Sequence, residues 1–271
     1  MGQKNRDFVI LVPQKLVRDE MDTELRMGVL MSFCIIKRFS SFDGICMCSL
    51  RTIIKRMGMQ YDDKKTKQLP KKIIILLHGL DYLTEIGILK TNSGDYHQLD
   101  SFFEISLDIT NFDKEYVPMK IKYFDYILDI PKRVNKAGIL YTLLFVLSCY
   151  SINDYGDYKE RVVVCSYSLN YMSKIMGIQK TILRSYLNNL SIEEGYEGNA
   201  PLIKGKAYCI KIKERIIRLP NIFVENKANA DSVIQKRLKL INKKMRNSEY
   251  DSELEFYFED YDDLNYELTI G

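Results

Sequence analysis

Between Gln179 and Leu190 the chain separates two kinds of side chain at helical spacing. Ile182, Leu183, Tyr186, Leu187 and Leu190 fall on one side, and Lys180, Thr181, Arg184, Ser185 and Asn188 on the other. Arg and Asn pair two-pronged with guanine and adenine edges in the major groove, while Ser and Thr bond bases or phosphates. With Gln179 at its start, such a helix offers a face that can read duplex DNA; a plain solvated face is the alternative. A Lys-rich stretch follows, and its Lys204, Lys206 and Lys211 are suited to phosphate contacts.

Other chemistries find little support. No Gly-x4-Gly-Lys-Ser/Thr loop occurs, which argues against Walker-type nucleotide hydrolysis. His78 and His97 are the only histidines, so the His-x-His pair needed for rolling-circle nicking is missing. His78 falls on an apolar helix, where a packing role is expected. Cys46-x-Cys48 lacks a second Cys or His pair, and its side chains are expected on opposite faces of a strand. The six cysteines therefore read as reduced core residues, and Asp260, Asp262 and Asp263 sit in an acidic tail. No catalytic residue, metal or cofactor is expected, and the chain is not expected to be an enzyme.

The elements that would hold a reading helix occur twice. Ser49-Leu50, four residues, Lys55-x-Met57-Gly58 is echoed by Ser168-Leu169, four residues, Lys174-x-Met176-Gly177. Upstream, Gly28-Val29-Leu30-Met31-Ser32 answers Gly138-Ile139-Leu140-Tyr141-Thr142. Each copy reads as a long apolar helix, a short strand (Ile45 to Cys48; Val162 to Cys165), a Ser-capped helix stopped at glycine, and another helix. With a following hairpin, that is the winged variant of helix-turn-helix. The fold class expected is α+β and helix-rich: two tandem winged-helix domains, 1–112 and 113–225, then a basic amphipathic helix and acidic tail, 226–271.

In the first copy Phe8 to Pro13 reads as a strand and Thr23 to Phe39 as the long helix. Pro70 suits the first turn of a helix running to about Glu85. Its Ile73 to Leu77 stretch is apolar nearly all round, so only Gln68, Lys71 and Lys72 at its N-terminal end are expected to face solvent. Ile86 to Lys90 and Tyr96 to Leu99 form the expected wing, and Phe102 to Leu107 adds a strand. In the second copy Asn135 caps the long helix, and Leu202 to Lys206 is expected to pair with Ala207 to Lys213. Ser232 to Met245 carries a stripe of Ile234, Leu238, Ile241 and Met245, for packing on the second domain or on another chain.

The net charge of +4 conceals a strongly basic body. From Glu249 to Gly271 there are nine acidic residues and no Lys or Arg, leaving 40 basic against 27 acidic residues in the remainder. That excess is the footprint of a polyanion binder, with an ordinary Lys-rich surface as the alternative. The acidic, aromatic tail reads either as disordered or as a competitor for the basic groove. No apolar run approaches the ~18 residues that span a bilayer, so a soluble, cytoplasmic protein without membrane contact is expected.

The doubled Ser-Leu-x4-Lys-x-Met-Gly motif, the tandem units and the Phe8 to Pro13 lead-in resemble replication initiator proteins of low-G+C Gram-positive plasmids and phages. The resemblance covers roughly residues 8 to 220. It implies that the third helix of each unit enters the major groove of repeated origin sequences and that the wings touch backbone. It further implies host replication proteins as partners and a homodimer as the repressing form. Reading then falls to Lys180, Thr181, Arg184 and Ser185, and in the first unit to Gln68, Lys71 and Lys72. The first unit departs from the pattern, since Met59 to Leu69 exceeds the usual turn and Pro70 interrupts it. A winged-helix transcriptional repressor and a helicase-loader or primosome component remain as alternatives.

Overall fold

A computed structural model describes residues 8–41, 43–59, 69–110, 115–131, 134–154, 159–205, 209–212, 215–218 and 221–247. The fold is mixed α+β, about 50% helical, and divides into two compact units, Met1–Ser148 and Cys149–Gly271.

The first unit is organised by one close helix crossing. Strand β1 (Val9–Pro13) and the short α1 (Gln14–Arg18) lead into α2 (Thr23–Phe39), whose N-cap Asp22 accepts from the amides of Glu24 and Leu25. After β2 (Ile45–Ser49) and α3 (Leu50–Arg56), α4 (Lys71–Glu85) packs across α2. Gly28 and Gly79 sit where the two backbones meet, because a Cβ on Gly79 would lie 2.6 Å from the Val29 nitrogen. The Ser32 hydroxyl seals the crossing, donating to the Leu76 carbonyl at 2.9 Å.

Strands β3 (Leu89–Ser93) and β4 (Phe102–Leu107) complete an antiparallel sheet with β2 in the order β2-β4-β3. The hairpin partner of β3 is thus β4, not the expected Tyr96 to Leu99, which form turns. Asp95 explains that choice, since its carboxylate accepts from the His97 amide and holds the local turn. Cys46 and Cys48 are both buried with their sulfurs 3.6 Å apart, so the expectation of opposite faces is wrong: residues two apart on a strand share a face. Burial also pushes the Cys34 thiol well above its ordinary range.

The first unit then continues past the expected boundary at 112. Strand β5 (Tyr116–Lys120) pairs antiparallel with β1, and α5 (Ile121–Asp129) and α6 (Lys136–Leu147) follow. Helix α6 is buried from Gly138 to Leu147, so it must be surrounded, and α1, α2, α5 and β5 do so within this unit. Polar groups fix its placement. Arg26 Nη1 of α2 donates to the Tyr141 hydroxyl at 2.6 Å. Lys136 Nζ donates to the carbonyls of Met57 (3.1 Å) and Leu128, placing a cation near the C-terminal ends of α3 and α5.

The second unit is built on a five-stranded sheet in the order β6-β7-β12-β9-β8. Its strands are β6 (Tyr150–Asp154), β7 (Lys159–Cys165), β8 (Ser191–Glu193), β9 (Leu202–Lys204) and β12 (Phe223–Glu225); β8 and β9 are parallel and the other pairs antiparallel. Helices α7 (Leu169–Met176) and α8 (Lys180–Leu190) lie between β7 and β8 in the chain. The expected Lys-rich hairpin is replaced: β10 (Cys209–Ile212) pairs with β11 (Arg215–Arg218), while β9 is taken by β12.

Helix α9 (Ala230–Asn247) begins just beyond the expected boundary at 225, yet it packs on β7 and β12. Ala230 and Ile234 join Ile203, Ile222 and Val224 in one core, with Leu238 and Ile241 against it. It is therefore part of the second unit and not a separate segment. Met245's side chain and the whole acidic tail lie outside the described residues. No helix among the described residues is long and apolar enough to cross a membrane.

Candidate nucleic-acid interface

Three local devices aim α8. Ser168 accepts from the Tyr171 amide and opens α7, as Ser49 does for α3 through the Thr52 amide. Gly177 closes α7 at φ 64°, in the left-handed region where a side chain is disfavoured, and Gly58 does the same after α3 at φ 69°. The Ser173 hydroxyl then donates to the Ile178 carbonyl at 2.6 Å, tying the turn to α7.

Helix α8 buries Leu183, Tyr186, Leu187 and Leu190. Thr181, Arg184, Ser185 and Asn188 are exposed along its other side, Gln179 is exposed at the N-cap, and Lys180 is half-buried at the margin. Asn189 is occupied, since its side-chain amide donates to the Ser185 carbonyl at 2.7 Å. The helix contains no acidic residue, and the Arg184 guanidinium has no ion-pair or hydrogen-bond partner among the described residues. One residue departs from the expected pattern: Ile182, assigned to the buried side, is 41% exposed.

The remaining expected site residues lie on other elements or outside the described residues. Lys204 is half-buried inside the sheet, its strand flanked by β12 and β8. Lys206 lies outside the described residues, and Lys211 is placed on β10 opposite Ile216. In the first unit Gln68 is likewise outside the described residues. Lys71 and Lys72 are exposed at the start of α4, with Lys71 Nζ paired to Glu24 Oε1 at 2.6 Å. Both line a cavity of about 500 Å³ whose other walls include Met27, Met31 and Met57.

The exposed side of α4 continues well past its first turn, contrary to expectation. Ile74 and His78 are both exposed, so His78 is not a packing residue; five apolar residues in a row hid the helical period. Asp81 lies on the same helix and binds the connection between β3 and β4, accepting from the Tyr96 hydroxyl at 3.0 Å and lying 2.9 Å from His97 Nε2. Desolvation raises the Tyr96 hydroxyl, which favours its donor form here. Glu85 adds a second acid. The helices that follow the two Ser-capped helices thus differ in charge, α8 being basic and α4 mixed.

No protein-family model matches this chain, and no curated protein matches it. Among the described residues no three His, Cys, Asp or Glu side chains converge as a metal site would require.

Proposed function

We propose that this chain is a sequence-specific double-stranded DNA-binding protein in which α8 enters the major groove. The acid-free polar face of α8, whose Arg184 pairs with no group among the described residues, is opened by a capped helix and a glycine turn and carries this reading. Chain order supports two winged helices: long helix, strand, capped helix, helix, and then strands ordered with the third beside the first, as in β2-β4-β3 and in β7-β12-β9.

Within that class we assign the chain to replication initiation, binding repeated origin sites in the cytoplasm together with host replication proteins. It acts by binding and performs no catalysis of its own. One observation favours a second role for the first unit: Asp81 and Glu85 on α4 would repel phosphate, and the exposed Ile74 suits a protein surface. The α4 helix then serves protein contact, and reading rests on α8.

Selection of duplexes from a random library by the full chain tests the proposal. Enrichment of one motif, bound with a salt slope reflecting several phosphate contacts, is expected. A footprint over direct repeats indicates initiation, whereas one inverted repeat at a promoter indicates repression. Absence of any enriched motif overturns the reading.

A further inference from the structure

We infer that Ile182 reads thymine methyl groups, so that the target of α8 is a thymine-containing site and not one defined by hydrogen bonds alone. The inference rests on the DNA-reading role proposed for α8.

Three observations converge on this residue. First, Ile182 is 41% exposed on a helix whose other apolar residues, Leu183, Tyr186, Leu187 and Leu190, are buried. Second, it is the third residue of the helix, and base edges are contacted mainly by the N-terminal residues of a recognition helix. Third, helical geometry splits the exposed face into two flanks. Ile182 and Ser185 are neighbours at i, i+3 on one flank, while Thr181, Arg184 and Asn188 adjoin on the other.

In the major groove only thymine among the bases displays an apolar group, its C5 methyl. An isoleucine presented there has one favourable partner. The polar flank, with Arg184 and Asn188, suits guanine and adenine, so the two flanks together specify chemically different base edges.

The experiment uses the full chain and a duplex enriched from a random library. Each thymine is replaced in turn by deoxyuridine, which removes only the methyl. At one or two positions the unaltered protein is expected to bind about fourfold less tightly, the value of one buried methyl group. Ile182→Ala should bind the thymine and deoxyuridine duplexes equally at those positions. Ile175→Ala, which removes a similarly exposed residue (42%) from α7, should keep the full difference.

Indifference of the unaltered protein to every replacement overturns the inference while leaving DNA reading intact. So does an Ile182→Ala variant that retains the full thymine preference. Failure to enrich any duplex overturns both this inference and the reading beneath it.

Discussion

Gly79→Ala sets two physical effects against each other, and the structure decides the sign. Alanine is the better helix former by about 1 kcal/mol, so propensity alone predicts a more stable protein. At this crossing, however, the new methyl would meet the carbonyl of Gly28 and lie 2.6 Å from the Val29 nitrogen, closer than the 3.0 Å that real Cβ atoms keep. Backbone cannot step aside as a flexible side chain can, so α2 and α4 must separate. Overpacking of this kind costs about 1–3 kcal/mol. Separation also weakens the buried Ser32 to Leu76 hydrogen bond, worth a further ~1 kcal/mol. Set against the propensity gain, the net is a destabilisation of about 2 kcal/mol, or a Tm lower by roughly 4–8 °C for a unit of this size. Thermal unfolding followed by circular dichroism reads it directly, and Gly28→Ala should behave alike. A Tm that rises for either variant would refute the close crossing.

Three further outcomes follow from single contacts. Lys136→Met keeps the aliphatic stem but removes the donor to the Met57 and Leu128 carbonyls, and should cost about 1–3 kcal/mol in urea unfolding. Ser168→Ala should cost about 1 kcal/mol through loss of the α7 cap, with Ser49→Ala similar for α3, also measured in urea. Lys90, with help from Thr110, holds the Asp108 carboxyl well below the usual carboxylate range. A depressed folded-state value means stability that is present above about pH 4 and lost as pH falls below it. Asp108→Asn should therefore lower Tm at neutral pH and flatten its decline in acid.

What was legible in the sequence was local. Thr23 to Phe39, the two serine caps and the two glycine stops depend on a few neighbouring residues, and the structure places all of them as expected. Partner choice was less legible. Leu202 to Lys206 and Ala207 to Lys213 both read as strands, but the strands that join β9 and β10, β12 and β11, come further along the chain. Helix α6 is apolar nearly all round, and such a helix announces that it is buried without naming its neighbours, so its packing within the first unit was not legible. On α8 the exposure of Arg184, Ser185 and Asn188 was legible because polar residues at helical spacing mark an outer face. The exposure of Ile182 was not legible because it lies at the edge of the apolar stripe, where residue type points inward and geometry outward.

Titration of Arg184→Ala against an enriched duplex and a random duplex, at matched salt, tests the central claim that α8 reads base edges. A loss of about 1–3 kcal/mol on the enriched duplex, with little change on the random one, is predicted. Equal losses on both duplexes would reduce Arg184 to a phosphate contact and contradict the claim.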